Sequence, residues 1–414
     1  PDDPAASVDT DSDGKPDDWN DGKSAADSSS DPILVIDEDD DNDGVADFDD
    51  AFPRDPSETQ DTDGDGEGDN RDGFPDDATR IYVDLATALA NLPDDAFRAC
   101  VQNASNGLAS VAEVKSIDCN NQANIESISG LDAFIELSSL DIHDTRTGDL
   151  SPLTYLTELT NLKASQGGVG NQISSFEPLR YLRRLEQLSI SGNSSADWSI
   201  VKRFRQLKEL TIGGGNSFVG APLAYDLLEG LELEYLDVRN TGTTVLPDLF
   251  DSADSLQIVY ARNNRLKDIS SLAALNRLGH LEASNNEIAD LRPLQNLKNM
   301  TGVLLSRNLV EDISPLASLD SSSLQGLDLS DNRIARLSGS FSDWSSGTQI
   351  NLNNNPLLCG EIEAARSNAQ ITLTFDTSCS ASEDIDGDGV PDNTDAFPDD
   401  PAASVDTDSD GKPD

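Results

Sequence analysis

Basic residues, aromatic residues and long apolar runs are all scarce in this sequence. Its 414 residues include 28 Lys and Arg against 78 Asp and Glu, which gives a net charge of −50. Such a chain has little with which to neutralise phosphates, so we predict no nucleic-acid partner. Attraction to anionic membrane surfaces is equally disfavoured. No apolar run approaches the ~18 residues of a transmembrane helix, so we also predict no membrane insertion.

The negative charge is concentrated at the two ends of the chain. Residues 1–79 carry a net charge of −25 and residues 381–414 a net charge of −11, whereas the residues between them are rich in Leu. The two acidic segments have too few apolar side chains to fold around a core of their own. Residues 1–17 and 398–414 are the same seventeen letters, PDDPAASVDTDSDGKPD. We therefore expect the chain to be one unit of a tandem array in a larger protein, with two similar linkers as the alternative.

Both acidic segments repeat the pattern D-x-D-x-D-G-x-x-D-x-x-[DN]. Alternating carboxylates in a tight turn converge on one hard cation, Gly at the sixth position permits the bend, and the seventh residue contributes its carbonyl oxygen. Ligands that are all oxygen favour calcium over zinc or copper; the alternative is an acidic linker without metal. The predicted ligands are Asp9, Asp11, Asp13, Lys15, Asp17 and Asn20; Asp39, Asp41, Asp43, Val45, Asp47 and Asp50; Asp61, Asp63, Asp65, Glu67, Asp69 and Asp72; Asp384, Asp386, Asp388, Val390, Asp392 and Asp395; and, in an incomplete fifth copy, Asp406, Asp408, Asp410 and Asp414.

These repeats differ from EF-hands, because Gly and Pro surround the loops and no Glu occupies the twelfth position. With the spacer D-A-F-P-x-D-P at residues 50–56 and 395–401, they resemble thrombospondin type 3 repeats. The resemblance implies a rod wrapped around calcium, with about one or two ions per repeat. The first copy departs from the pattern, since Asp18-Trp19-Asn20-Asp21 and a Ser-rich stretch stand where the Phe-Pro spacer is expected.

A second repeat, L-x-x-L-x-L-x-x-N, runs from about residue 111 to residue 358. Its modal period is 22 residues, which is the leucine-rich repeat signature. The second anchor of each predicted strand is Ile117, Leu140, Leu162, Leu188, Leu210, Leu236, Val259, Leu281, Val303, Leu327 and Ile350. The Asn at the ninth position is expected to bond the backbone of neighbouring turns. It is present as Asn193, Asn264, Asn286, Asn308, Asn332 and Asn355. Other coils have Thr145, Gly167, Gly215 and Thr241 there, and we expect less regular turns in those coils.

The short period and segments such as Val310-Glu-Asp-Ile-Ser-Pro-Leu316 resemble internalin-like bacterial leucine-rich repeats. That resemblance implies an α/β leucine-rich repeat solenoid with a parallel sheet on its concave face, 3₁₀ or irregular turns on its convex face, and protein recognition by the concave face. With the acidic segments added, irregular calcium-binding loops stand at both ends of the solenoid. The predicted domains are calcium-binding repeats at 1–79, an N-terminal cap at 80–110, about 11 coils at 111–358, a C-terminal cap at 359–380 and calcium-binding repeats at 381–414.

Four Cys lie at the two ends of the solenoid. About 11 coils at ~4.8 Å separate these ends by about 50 Å, whereas disulfide partners need Cα atoms within roughly 7 Å. We therefore predict the pairs Cys100–Cys119 and Cys359–Cys379, with buried free thiols as the alternative, and an oxidising location outside the cytoplasm. We also predict a helix that begins at Pro93-Asp94-Asp95 and a closing strand at residues 371–375.

One stretch of outward-facing strand positions stands apart in composition. Most such positions hold small polar residues, but the middle coils hold Tyr, Arg and apolar residues, which are typical of interface hot spots. The predicted ligand-binding residues are Tyr235, Asp237, Arg239, Ile258, Tyr260, Arg262, His280, Glu282 and Leu304. The alternative is a solvated strand face with no ligand.

Catalysis has little support in the sequence. The only two His, His143 and His280, are expected about six coils or ~29 Å apart, and an exposed row without a deep pocket disfavours an enzyme. We predict a calcium-stabilised, extracellular recognition module of a repetitive bacterial surface protein. Its partner would be a protein or peptide, or a glycan, bound non-covalently by the concave face with an adhesive outcome, besides the tandem neighbouring units. The alternative is a structural spacer with no ligand of its own.

Overall fold

A computed structural model of the chain describes residues 3, 5–6, 9–11, 13–20, 23–30, 34–64, 66–72, 75–76, 78, 84–165, 173–193, 198–213, 223–224, 226–319, 322–337, 348–357, 372–375, 390–391, 395–397, 400–407 and 412–413. The chain divides into two compact units, residues 1–162 with 169–184 and residues 163–168 with 185–414. None of the described residues forms a helix that is long and apolar enough to cross a membrane.

Twelve short strands form one sheet in which each strand lies beside its neighbours in chain order. The strands are β1 (Ser116–Asp118), β2 (Ser139–Asp141), β3 (Asn161–Lys163), β4 (Gln187–Ser189), β5 (Glu209–Thr211), β6 (Tyr235–Asp237), β7 (Ile258–Tyr260), β8 (His280–Glu282), β9 (Gly302–Leu304), β10 (Gly326–Asp328), β11 (Gln349–Asn351) and β12 (Thr372–Thr374). β1 pairs with β2, and β10 with β9 and β11, in parallel register. Every predicted anchor from Ile117 to Ile350 is the central residue of its strand, and the predicted closing strand is β12. The predicted leucine-rich repeat solenoid is therefore confirmed.

Short 3₁₀ helices form the return segment of most coils. They span Val111–Glu113, Leu131–Ala133, Ser151–Leu153, Glu177–Leu179, Ser199–Arg203, Phe250–Ser252, Ser270–Ala274, Arg292–Leu294 and Ser314–Ser318, and another, Ala25–Asp27, lies in the acidic head. Four of them carry Pro in the first turn, where its fixed φ suits the helix and its missing N–H costs nothing. The predicted 3₁₀ turns are confirmed.

Columns of Leu, Ile and Val fill the interior of the coils. In the seventh coil Leu256, Val259, Ala261, Leu266 and Ile269 are all 1% exposed or less. Full burial of one such aliphatic side chain is worth about 1.5–3 kcal/mol. Since each coil leaves its flanking faces open, stacking of neighbouring coils is what makes the core continuous.

The ninth-position asparagines are buried and bond the main chain. The Asn286 side-chain amide donates to the carbonyl oxygens of Ala261 and Ala283, and its Oδ1 accepts the Leu266 N–H at 2.9 Å. At Thr145 and Thr241 a hydroxyl donates to the carbonyl three residues earlier, as the Asn amide does. The residue before each Thr keeps the left-handed φ found in the Asn coils. The expected irregularity is therefore wrong at these two coils, and Gly167 and Gly215 lie outside the described residues.

Two helices, α1 (Leu85–Asn91) and α2 (Asp95–Ala104), cover the first coil. Asp94 caps α2 by accepting the Ala96 and Phe97 N–H groups at 2.9 Å. The predicted helix start is confirmed. A disulfide joins Cys100 of α2 to Cys119 just after β1, as predicted. Cys359 and Cys379 lie outside the described residues, so their pairing stays a prediction.

Candidate metal loops and recognition face

The sixth-position glycine has the same backbone conformation in the first three acidic loops. Their sixth-position glycines, Gly14, Gly44 and Gly66, have φ values of +97°, +99° and +98°, a conformation that favours glycine. Each glycine N–H donates to Oδ2 of the aspartate at the first position, which is Asp9 (3.2 Å), Asp39 (3.1 Å) or Asp61 (3.1 Å). The expected role of this glycine is thus confirmed in all three loops.

The second loop contains four buried carboxylate oxygens that have no hydrogen-bond partner. Asp39, Asp41, Asp43 and Asp50 each use one oxygen to accept a backbone N–H, from Gly44, Asp43, Val45 and Phe52 respectively, at 2.7–3.2 Å. The other oxygen of each is buried without a hydrogen-bond partner. Ligand atoms of Asp39, Asp41 and Asp43 lie within 4.8 Å of one another. Buried oxygens without partners are costly, and a hard cation bound by all of them would remove that cost.

The electrostatics of the second loop point the same way. Burial, followed by the charges of Asp43, Asp50 and Asp39, raises the pKa of Asp41 to about 7. Burial and the neighbouring carboxylates also raise the pKa of Asp50. Without a cation the ionised loop therefore repels itself, and a divalent ion would reverse that repulsion.

The other predicted ligands are described to different extents. Asp9, Asp11 and Asp13 form a second group whose ligand atoms lie within 4.8 Å of one another. The ninth-position carboxylates Asp17, Asp47 and Asp69 accept the N–H groups of Thr10, Asp40 and Thr62, each at 2.8 Å. The side-chain amide of Asn20 donates to the carbonyl of Ala6 at 2.7 Å. The structure also describes Asp63, Glu67 and Asp72. The predicted ligands outside the described residues are Asp65, Asp384, Asp386, Asp388, Asp392, Asp408, Asp410 and Asp414. In the last two loops only Val390, Asp395 and Asp406 are described.

Side chains from different loops join the first loop to the second. The Asn42 amide donates to Asp11. The Arg54 Nε lies 3.1 Å from Asp17 Oδ2 and 3.2 Å from Asp40 Oδ2. Sequence reasoning missed these contacts, because Asp11 and Asn42 are 31 positions apart and no local pattern would pair them.

Three aromatic side chains meet on the middle of the sheet. Tyr235 of β6 and His280 of β8 both lie opposite Ile258 of β7, so each is diagonal to Tyr260, within reach of a ring. The ring centroids are 5.6 Å apart for Tyr235 and Tyr260, and 5.5 Å apart for Tyr260 and His280, both edge to face. The Arg239 Cζ lies 5.2 Å from the Tyr260 centroid. We call Tyr235, Arg239, Tyr260 and His280 the recognition row.

Asp237 differs from its predicted place on the ligand-facing surface. The residue is 2% exposed, and its carboxylate accepts from the backbone N–H, Nε and Nη2 of Arg239 at 2.6–3.0 Å. It therefore holds the Arg239 guanidinium against Tyr260 and does not face solvent. The hydrogen bond to Asp237 raises the pKa of Arg239, and burial, followed by the Asp237 charge, raises the pKa of Tyr235 to about 12.

The remaining predicted ligand-binding residues surround the recognition row. Ile258 and Leu304 are half-buried, so they offer less apolar surface than expected. Glu282 Oε1 lies 3.7 Å from Nη1 of the exposed Arg262. Gly302 of β9 was not predicted to matter, but a Cβ there would lie 2.6 Å from His280 Nδ1. Glycine at this strand position makes room for the imidazole.

Two cavities of the described part of the chain lie away from the recognition row. They have volumes of 540 and 570 Å³, and one lies beside Arg180 and Tyr181 and the other beside Phe52 and Arg54. Neither is lined by a residue of the recognition row.

The parallel sheet, the 3₁₀ turns and the asparagine ladder define a leucine-rich repeat solenoid. Among solved structures, the functional domain of the internalin InlJ from Listeria monocytogenes is similar, with a TM-score of 0.56 and 19% identity over 74% of this chain and 64% of that domain. An internalin InlF from the same species has a TM-score of 0.46 and 20% identity, covering 72% of this chain and all of that one. No family model and no curated protein sequence matches the chain. The likeness to InlJ shows the fold.

Proposed function

We propose that the chain is a calcium-stabilised extracellular module that captures a protein or peptide through the concave face of its solenoid. The observation that carries the proposal is the recognition row, in which Tyr260 makes edge-to-face contacts with two rings and lies under the Arg239 guanidinium. Aromatic and Arg side chains dominate interface hot spots. Only 5% of the residues are aromatic, so three ring-bearing side chains in contact on one open face favour a binding role.

The contacts within the row reduce the entropy that binding would cost. Tyr260 is packed on both sides by Tyr235 and His280, and Asp237 already fixes Arg239 with several hydrogen bonds. A preformed surface binds more tightly because fewer rotamers are lost. Arg239 and Arg262 are also exposed on this face, each near one carboxylate of the chain itself, Asp237 and Glu282. We therefore propose a ligand segment with apolar side chains for the rings and hydrogen-bond acceptors for the two guanidinium groups.

The acidic loops have a separate role in this proposal. Asp39, Asp41, Asp43 and Asp50 would hold a calcium ion through the oxygens that have no hydrogen-bond partner, and Asp9, Asp11 and Asp13 would hold another. Because such segments cannot bury a core, metal binding would supply their folding free energy. The loops would then present the solenoid at the surface of a repetitive adhesive protein. The contacts through Asn42 and Arg54 would tie the order of one loop to that of the next.

The recognition face is tested by selecting binders and then changing the row. Peptides from a display library would be selected on the immobilised chain, and their Kd values measured for Tyr260→Ala and for Gln349→Ala, an exposed residue at the first position of β11, four strands away from Tyr260. Tyr260→Ala should weaken binding at least tenfold, which is about 1.4 kcal/mol, and Gln349→Ala should change it less than twofold. Equal affinity in the two variants would contradict the proposal. Failure to select any peptide or protein would favour the spacer function.

The calcium role is tested by calorimetric titration. Asp41→Asn should remove one binding event or weaken it at least tenfold, because it takes a buried ligand charge away. Asp49→Asn is the matched control, since Asp49 is exposed and outside the ligand pattern but carries the same charge. Isotherms that change equally in the two variants would indicate an unspecific counterion effect and contradict a calcium site at this loop.

A further inference from the structure

The irregular continuation of the first acidic repeat folds back onto the first residues of the chain. Trp19 forms an antiparallel bridge with Ala6. The Asn20 backbone N–H donates to the Ala5 carbonyl at 2.9 Å, and the Asn20 side-chain amide donates to the Ala6 carbonyl at 2.7 Å. The residues that break the repeat pattern are therefore the ones that make these contacts.

The Ser-rich stretch completes the contact through one carboxylate. Asp3 Oδ2 accepts from Ser28 Oγ at 2.6 Å, Ser29 N at 2.9 Å, Ser30 N at 3.1 Å and Ser30 Oγ at 2.9 Å. These bonds, that from Ser28 foremost, hold the pKa of Asp3 well below its usual range. We call this arrangement the serine clasp. Its acceptor half is Asp3, Ala5 and Ala6, and its donor half is Trp19, Asn20 and Ser28–Ser30.

The acceptor half of the clasp occurs a second time, near the other end of the chain. Residues 398–414 have the sequence of residues 1–17, so Asp400, Ala402 and Ala403 correspond to Asp3, Ala5 and Ala6. The local structure is also repeated, as two pairs of hydrogen bonds show. In the first pair, Ala5 N donates to Asp3 Oδ1 at 3.0 Å and Ala402 N donates to Asp400 Oδ1 at 3.1 Å. In the second pair, Ala6 N donates to the Asp3 carbonyl at 3.2 Å and Ala403 N donates to the Asp400 carbonyl at 2.8 Å.

The two copies differ in how well they are covered. Ala5 is 1% exposed, whereas Ala402 is exposed, and Asp3 is half-buried, whereas Asp400 is exposed. Ala403 is itself buried, at 6% exposed, and the second copy also receives a hydrogen bond from the Ala396 N–H to the Ser404 carbonyl. Asp400 and Ala402 are therefore the exposed part of the second acceptor half.

We propose that Asp400, Ala402 and Ala403 form the acceptor half of a second serine clasp. Residues 18–30 of a second copy of this chain, joined directly after residue 414, would close it. The same seventeen residues would then end one unit and begin the next. The joined segment would also supply an Asn at the twelfth position of the loop that begins at Asp406, as Asn20 does for the loop that begins at Asp9. Each junction between units would thus be fixed by hydrogen bonds and would not be a free linker.

The test adds residues 18–30 in register after residue 414 of the full chain and measures amide hydrogen exchange in calcium. Peptides covering the added residues should exchange at least fivefold more slowly than the same residues in scrambled order, because the added copies of Asn20, Ser29 and Ser30 supply the N–H donors of the clasp. The same thirteen residues in scrambled order should give no protection. Asp400→Ala should abolish the protection in the extended chain. In the unextended chain it should mainly speed exchange of the Ala402 amide, which donates to Asp400 Oδ1.

The existing clasp provides an internal reference for this experiment. Asp3→Ala should speed exchange of the Ser29 and Ser30 amides at least fivefold, because both donate to the deleted carboxylate. Equal exchange in the extended and scrambled chains would overturn the proposal, and so would protection that survives Asp400→Ala. Ligand binding by the recognition row is measured separately and does not affect either outcome.

Discussion

At the scale of single residues, buried asparagines supply the hydrogen bonds that the narrow coils cannot make for themselves. The Asn308 amide donates to the carbonyls of Ala283 and Leu305 at 3.0 Å, and its Oδ1 accepts the Ile288 N–H at 3.0 Å. One side chain therefore satisfies main-chain groups of two neighbouring coils. Such groups cannot be left buried without partners, so the ladder is a condition of the fold.

Asn286→Ala should destabilise the solenoid by about 2–4 kcal/mol, since a buried polar group left unsatisfied costs about 1–3 kcal/mol and this change leaves several. Urea unfolding followed by circular dichroism measures the effect. Gln295→Ala is the control, because Gln295 is exposed on the return segment and should change the midpoint little. A loss below about 1 kcal/mol at Asn286 would mean that water replaces the side chain.

Arg307 occupies a position that suits other residues better. It is the residue just before the ninth repeat position, which has a φ of about +55° to +75° in nine described coils. Eight of these coils have Asn, Asp or Gly there, and only this one has Arg. Left-handed backbone costs an ordinary residue about 1–2 kcal/mol, and the exposed ion pair from Arg307 to Asp331, at 3.8 Å, returns little. Arg307→Asn should therefore stabilise the chain by about 0.5–1 kcal/mol in the same urea assay. An unchanged or lower midpoint would show that the ion pair outweighs the backbone cost.

Side-chain conformation is the part of the site that the sequence did not predict. The repeat places Tyr235, Tyr260 and His280 on one face, which the structure bears out. Alternation along the strand also predicts that Asp237 faces outward, yet its carboxylate turns to Arg239 and is buried. That choice depends on the competition between solvent and one neighbouring guanidinium, which a pattern of residue types does not encode.

At the scale of elements, the strands were predictable because each coil repeats the same physical demand. Two apolar residues flank one outward residue, and only one register buries both, so the anchors from Ile117 to Ile350 locate β1 to β11. β12 followed from the alternating Thr-Leu-Thr at residues 372–374. Contacts between acidic loops were not predictable, because Asn42 and Arg54 bind partners far away in sequence.

Helix α2 gives a pH-dependent prediction at this scale. Asp94 Oδ1 caps the helix, and its Oδ2 accepts the N–H groups of Glu126 and Ser127 at 2.8 and 3.1 Å. Burial opposes ionisation of Asp94, but the N–H groups of Phe97, Glu126, Ser127 and Ala96 outweigh it and lower the pKa from 3.8. A lowered pKa in the folded state contributes stability above the unfolded value and loses it as the pH falls.

Asp94→Ala should therefore cost about 2 kcal/mol at pH 7, and the difference from the parent chain should shrink as the pH falls below 3.8. Thermal unfolding of both proteins between pH 7 and pH 2.5, buffered at constant ionic strength, measures the difference. Asp95→Ala is the control, since Asp95 is exposed in the first turn. A pH-independent difference would show that Asp94 acts by packing alone.

At the scale of the whole molecule, the charge distribution assigns different sources of stability to different segments. The middle of the chain buries columns of Leu side chains. Residues 1–79 carry a net charge of −25. They rely on hydrogen bonds within the loops, on a few Lys and Arg side chains and, in our proposal, on bound calcium. Removal of calcium should therefore act on the acidic segments and leave the solenoid folded.

Trypsin digestion tests this separation directly. Residues 1–79 contain three sites, Lys23, Arg54 and Arg71, since Pro16 follows Lys15 and prevents cleavage there. Arg54 is paired with the loop carboxylates of Asp17 and Asp40. With chelator, cleavage at these sites should speed up at least tenfold, because unneutralised carboxylates repel and open the loops. Cleavage after Arg265 and Lys298 in the solenoid should change less than twofold. Magnesium in place of calcium should protect poorly, since it keeps its waters and demands a stricter geometry. Identical digestion profiles with calcium and with chelator would exclude calcium as the source of order in these loops.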